Sequence, residues 1–229
     1  MLLRIAVLLA LLPVRAIFAQ AEHPLTGRHI APVMGYAGAD WLDRRERERE
    51  EQPEKALDLI GIQPGMNVAD VGAGTGYISL RIARRVGPTG KVYANDIQPK
   101  MLDRLMDNAR SAKLDNVEPV LGSEADAKLP DNRMDFIILV DVYHEFSRPQ
   151  EMLRSMRRAL KPDGRLVLLE YKKEDPSIPI RPDHKMFTAD AKIEVEAEGY
   201  ELDKVIDTLP RQHIIFFKKT AGMTAAPLE

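Results

Sequence analysis

VADVGAGTGYIS, running from Val68 to Ser79, decides how the rest of the chain is read. An apolar stretch takes in an acid, Asp70, and passes into three alternating glycines, Gly72, Gly74 and Gly76. Glycines in a strand-to-helix turn accept positive φ and let a ligand approach the backbone with no Cβ in between. Their spacing, G-x-G-x-G, is one residue short of the G-x-G-x-x-G dinucleotide fingerprint. A pyrophosphate in such a turn wants free helix N–H groups and no carboxylate beside it. Asp70 opposes it by ~1 kcal/mol or more in a partly desolvated site. A ligand carrying an ammonium and a sulfonium reverses that sign, and S-adenosylmethionine is such a ligand. The competing reading is a plain tight turn that binds nothing.

On either side of the loop the chain alternates strand and helix, the pattern of a parallel α/β sheet. Upstream, Pro53 opens a helix that Gly61 closes. Strands are expected at Met66–Val71, Lys91–Asn95, Asn116–Leu121, Met134–Val140 and Arg165–Tyr171. MDFIILV (Met134–Val140) is the most apolar run and is expected at the centre of the sheet. Helices are expected at Tyr77–Val86, Pro99–Ala112 and Pro149–Leu160, the last ended by a Lys161–Gly164 turn.

Two further features fall in register with the loop. Asp96 closes the second strand twenty residues past Gly76, where an acid accepts from ribose hydroxyls. It also fits a helix N-cap. The segment Gly122–Ala127 follows the third strand, and Glu124 and Asp126 both fit an adenine amine; either is equally at home in solvent.

VADVGAGTGYIS, the NDIQ acid, GSEADAKLP and LKPDGRLVLLEY, in that order, resemble the class I S-adenosylmethionine-dependent methyltransferases, from about Pro53 to Lys219. The resemblance implies a Rossmann-like, doubly wound, seven-stranded α/β sheet, mostly parallel with an antiparallel C-terminal hairpin at Glu201–Thr208 and His213–Lys218. It implies methyl transfer from S-adenosylmethionine. It also implies that Asp70 lies near the methionine ammonium, the glycines pack against the cofactor, Asp96 binds ribose and Glu124–Asp126 meets adenine.

On the acceptor side, Asp141-Val142-Tyr143-His144-Glu145-Phe146 follows the central strand, at the carboxyl end of the sheet where ligands bind. Asp141 is expected near the sulfonium or the acceptor. Tyr143 and His144 are the candidate catalytic residues, His144 as a base near neutral pH or as a packing residue. In-line displacement at an activated sulfonium needs alignment above all, worth ~7–11 kcal/mol of the barrier, so a base is optional. Asp141, His144 and Glu145 also suit a metal, but with no further ligand evident no metal is expected. His184 is a candidate for the acceptor pocket, His213 reads as structural, and Met34, Trp41 and Phe187 are candidates for a lid.

Residues 1–21 combine Arg4, an apolar run and Ala19-Gln20-Ala21, the pattern of a cleaved signal peptide, with an uncleaved N-terminal anchor as the alternative. Export to the periplasm is unusual for the family. Residues 22–52 read as an arm or cap whose LDRRERERE stretch is a solvated, ion-paired helix and whose Trp41 packs onto the domain. Residues 53–219 form the methyltransferase domain and 220–229 a flexible tail. The 229 residues carry a formal charge of −2, which gives no global basic field for nucleic acid, and no cysteine, which excludes disulfides and thiolate chemistry. The expected acceptor is a small or lipid-like molecule; no membrane domain beyond the N-terminal segment is expected, and oligomeric state is not legible. A non-catalytic S-adenosylmethionine-binding protein and a nicotinamide oxidoreductase are the alternatives.

Overall fold

The computed structural model describes residues 21–220. The expected signal peptide and tail lie outside the described residues, except for Ala21 and Thr220. Among the described residues no helix is long and apolar enough to cross a membrane.

The described chain begins with two short helices, α1 (Ala39–Leu42) and α2 (Arg47–Glu50), then α3 (Pro53–Ile60), which ends on Gly61 at φ 84°. The body follows as β1 (Asn67–Val71), α4 (Ser79–Val86), β2 (Lys91–Asp96), α5 (Pro99–Ser111) and β3 (Val117–Leu121). It continues with β4 (Met134–Val140), α6 (Pro149–Ala159), β5 (Leu160–Tyr171), α7 (Thr188–Glu196), β6 (Tyr200–Ile206) and β7 (Gln212–Lys219). The seven strands lie in the order β3-β2-β1-β4-β5-β7-β6. The first five are parallel, and β7 runs antiparallel to both neighbours. This is the expected Rossmann-like sheet.

A sheet covered on both faces requires strands that are apolar on both sides. Ile137 and Leu139 of β4 point to one layer with Leu166 and Leu168 of β5 and Ile215 and Phe217 of β7, against α6 and α7. Ile138, Val167, Leu169, Ile214 and Phe216 point to the other layer, against α3, α4 and α5. The chain reverses its winding between β1 and β4, which opens a crevice beyond their carboxyl ends. The glycine loop after β1 and the segment after β4 face each other there.

Three expectations change. Helix α4 starts at Ser79 rather than Tyr77, because Tyr77 turns out of the loop to lie under the guanidiniums of Arg47 and Arg81. Strand β5 begins at Leu160, and the Lys161–Gly164 turn is a bulge: Met134 pairs with Leu160, but Phe136 pairs with Arg165. LDRRERERE is not one solvated helix. Arg47 is buried and donates a 2.7 Å hydrogen bond to Glu51, the buried residue that follows the stretch, so one of its charges belongs to the interior.

Candidate active site

The crevice is a cavity of about 460 Å³. The loop Gly72–Thr75 forms its floor, Asp96–Gln98 one wall, Asp141–Ser147 the opposite wall, and Val33, Met34, Trp41, Leu42 and Arg47 of the arm its cover. Four of the N–H groups between Gly72 and Gly76 are already bonded. Gly72 and Ala73 donate to Asn95 O at 2.9 and 2.8 Å, Gly76 donates to Ala73 O at 2.9 Å, and Gly74 donates to Asp96 Oδ2 at 2.9 Å. Those four N–H groups are therefore committed within the protein and none is left to cradle a diphosphate. Gly72, at φ 76°, packs so tightly on Val142 that a Cβ there would overlap it, which fixes the floor against that wall.

Charge in the cavity is predominantly negative. Asp70, 2% exposed, accepts from Ser79 Oγ at 2.6 Å, and burial pushes its pKa up to about 6. Asp96 accepts from Gly74 and, at 2.8 Å, from the N–H of Gln98, the residue that caps α5, so it shapes the turn before that helix rather than capping it, and it lines the cavity. Its pKa is raised, mainly by burial. Asp141 sits at φ 53°, strained for a non-glycine residue. Its Oδ2 accepts from Gln212 Nε2 at 2.7 Å, and its buried Oδ1 has no partner. Burial, then the Glu51 charge, raise its pKa well above its ordinary value. Arg47 is the buried cation on the same side, fixed by Glu51 and by Leu42 O at 2.8 Å.

The acceptor end is built around His144. It is 1% exposed, and its Nδ1 lies 2.6 Å from Glu170 Oε2. Glu170 Oε1 takes the Tyr143 N–H at 2.9 Å. The carboxylate fixes the ring with its Nε2 toward His184 Nδ1, 3.1 Å away. Burial alone would lower the His144 pKa; the Glu170 charge and hydrogen bond outweigh it and raise it, making His144 a stronger proton acceptor than a free imidazole. Glu145, whose burial pushes its pKa to about 7, lies 3.7 Å from His184 Nδ1.

Of the residues singled out in the sequence, Asp70, Gly72, Gly74, Asp96, Glu124, Asp141 and His144 line one cavity. Three do not. Gly76, at φ 89°, faces α5, where a Cβ would stand 2.8 Å from Leu105 Cγ; its role is packing. Asp126 instead shapes its own turn, accepting from Lys128 N–H at 2.9 Å. Tyr143 is fully buried, with Arg28 Cζ 5.6 Å from its ring centroid, which corrects the expectation that it meets the acceptor. Trp41 lies half-exposed at the cavity mouth with Arg44 Cζ 3.6 Å from its ring centroid, rather than packing the arm down. His184 lines the cavity, as does Met34; Phe187 does not. His213, near the start of β7, is held between Asp207 and Glu174.

No role for Glu170, Arg47, Asn95 or Arg28 is marked in the local sequence, although Asn95 and Glu170 lie inside NDIQ and LKPDGRLVLLEY. Glu170 was nonetheless visible as the lone acid in the apolar run RLVLLEY, at the carboxyl end of a buried strand. Asn95 holds the adenine-side turn through Ala127 O at 2.8 Å.

These residues suit S-adenosylmethionine. The unpartnered Asp141 Oδ1 and the Asp70 carboxylate match an ammonium, Arg47 a carboxylate, and Asp96 a ribose diol.

A family model described as "Methyltransferase domain" matches residues 62–209. A ubiquinone/menaquinone biosynthesis C-methyltransferase, UbiE, of Ectopseudomonas mendocina is 37% identical over 121 residues, 51% of this chain and 46% of that protein. The chain thus spans about half the length of the curated relatives it matches. Among solved structures, a SAM dependent methyltransferase from Aquifex aeolicus superposes with a TM-score of 0.76 at 29% identity, over 81% of this chain and 98% of that one. A putative type 11 methyltransferase from Sulfolobus solfataricus shares the fold at a TM-score of 0.62 and 22% identity, over 77% and 97% of the two chains.

Proposed function

Since the chain belongs to the methyltransferase-domain family, we propose that it transfers the methyl group of S-adenosylmethionine to a small, apolar or lipid-like acceptor. The observation that carries this reading is the commitment of the four glycine-loop N–H groups to Asn95, Ala73 and Asp96, beside acids that attract a cation. Bound S-adenosylmethionine supplies an activated methyl group.

The protein's own residues do the rest. Asp70 holds positive charge, the unpartnered Asp141 Oδ1 accepts from the ammonium, Arg47 holds a carboxylate, and Asp96 holds a diol. Glu124, on the exposed rim, is the better placed acid for the adenine side. The arm residues Val33, Met34 and Leu42 cover the crevice with apolar surface and exclude water. His144, once the acceptor takes the place of His184 at its Nε2, presents that lone pair to the acceptor, with Glu170 as the positioning residue that fixes the tautomer. The apolar walls, among them Val142, Phe146, Met152 and Ile180, favour an acceptor with a hydrocarbon body.

Calorimetry with S-adenosylhomocysteine and NAD tests the reading. Saturable binding of the first and none of the second is expected; the reverse order would remove it. Asp70→Ala should weaken S-adenosylhomocysteine by roughly 1–3 kcal/mol, the range of a charge-assisted hydrogen bond. Protonating Asp70 removes the charge that attracts the ammonium, so affinity should fall as pH drops through about 6. Between pH 7 and pH 5 the ionised fraction falls roughly tenfold, and affinity with it. Asp70→Asn should flatten that dependence, and a slope surviving in the variant would reassign the titration.

We also propose export, supported by the Arg4, apolar and Ala-Gln-Ala features of residues 1–21, with an N-terminal anchor as the alternative. Mass spectrometry of the mature N-terminus separates the two.

A further inference from the structure

In the sequence Asp141, His144 and Glu145 had no ligand partner from elsewhere in the chain, and the fold supplies one to His144 and Glu145. His184, forty positions further on, is carried back over the crevice so that its Nδ1 lies 3.1 Å from His144 Nε2 and 3.7 Å from Glu145 Oε1. One donor atom from each of the three residues falls within a single small sphere. A tetrahedral ion with bonds of ~2.0–2.1 Å sets its donors about 3.3 Å apart, between the two observed spacings. Glu170, buried, holds the far nitrogen of His144 at 2.6 Å, the carboxylate–histidine arrangement that orients metal-binding imidazoles. All three side chains line the cavity, so further coordination positions face the acceptor space.

We propose that His144 Nε2, His184 Nδ1 and a Glu145 carboxylate oxygen bind a divalent cation of the zinc, cobalt or iron(II) class at the acceptor end of the cavity. Two imidazoles and one carboxylate form a borderline donor set, which suits these ions and disfavours magnesium or calcium, whose preference is for oxygen. The open positions would take an oxygen or sulfur donor of the acceptor. The site deepens the methyl-transfer reading, on which it rests for that use alone. If the cation does not bind, the His144 lone pair still accepts a proton directly and the transfer reading stands.

The test uses the metal alone. The full chain, stripped with a chelator, is titrated with Zn(II), Co(II) and Mg(II) by calorimetry, with the visible absorption of Co(II) as a second readout. One equivalent of Zn(II) or Co(II) should bind, and Mg(II) should not. His184→Ala, at a partly exposed side chain whose loss leaves the core intact, should weaken binding by more than about 100-fold. Glu145→Gln, which keeps the shape and removes the charge, should also weaken it, and Glu170→Gln should do so by about 10–100-fold. His29→Ala, at an exposed surface histidine, should change nothing. Zn(II) binding that survives both His184→Ala and Glu145→Gln, equal binding of Mg(II), or no saturable binding would overturn the assignment.

Discussion

Replacing His144 by alanine should lower turnover about 10²–10⁴-fold, the span of a positioned proton acceptor, while leaving S-adenosylhomocysteine affinity nearly unchanged. The two readouts separate because His144 stands on the acceptor wall, across the cavity from the Asp70–Asp96 side. Turnover is followed as S-adenosylhomocysteine release with an acceptor that supports it. Alanine also leaves Glu170 Oε2 without its partner in a fully buried position, so unfolding by urea must be recorded alongside to show that the variant is folded at the assay temperature. Glu170→Gln should lower kcat in the same direction by a smaller factor. The amide can still accept from one side, but it no longer favours a proton on His144 Nδ1, and the ring loses its fixed tautomer. If His144→Ala turns over at the wild-type rate, alignment alone performs the transfer, and His144 is a packing residue.

The fold was legible because its signals are local. MDFIILV is apolar on both faces from Phe136 onward, and it forms β4 with the expected ends. Asp70 and Asp96 were legible because acids at strand ends are costly unless something accepts their charge, and both line the cavity, Asp96 also fixing the turn into α5. What the sequence hid depends on distance along the chain. Glu170 is 26 residues from His144 and His184 is 40, and no spacing rule links a β-strand acid, a 3₁₀ turn and a loop histidine. Arg47 was hidden for the opposite reason. It stands in a run of alternating charges whose ordinary fate is solvent, and only the folding of the arm over the crevice buries it. Tyr143 shows the converse error: adjacency to His144 put it on the site in sequence, but consecutive residues of a tight turn point in different directions, and its hydroxyl is buried beside Arg28 and Glu194.

Arg28→Ala should destabilise the protein by about 3–5 kcal/mol, the cost of leaving one member of a buried ion pair alone. Glu194 is fully buried, and Arg28 meets it with both forks, Nε to Oε1 at 3.1 Å and Nη2 to Oε2 at 3.0 Å. Thr26 Oγ1 also donates to Glu194, but a hydroxyl brings no charge. Urea unfolding measures the loss, and a cost below about 1 kcal/mol would place the pair in solvent and the arm off the domain. The double replacement Arg28→Leu with Glu194→Leu should recover most of the stability, because an apolar pair of similar volume removes the uncompensated charge. It should not recover turnover. Arg28 Nη1 also donates to His144 O at 3.1 Å, beside the Ala31 N–H at 3.0 Å, so the arm grips the backbone that carries the imidazole. Leucine fills the space but makes no such bond. Stability regained with kcat still depressed therefore identifies the arm as part of the catalytic framework, whereas recovery of both would reduce it to a cover.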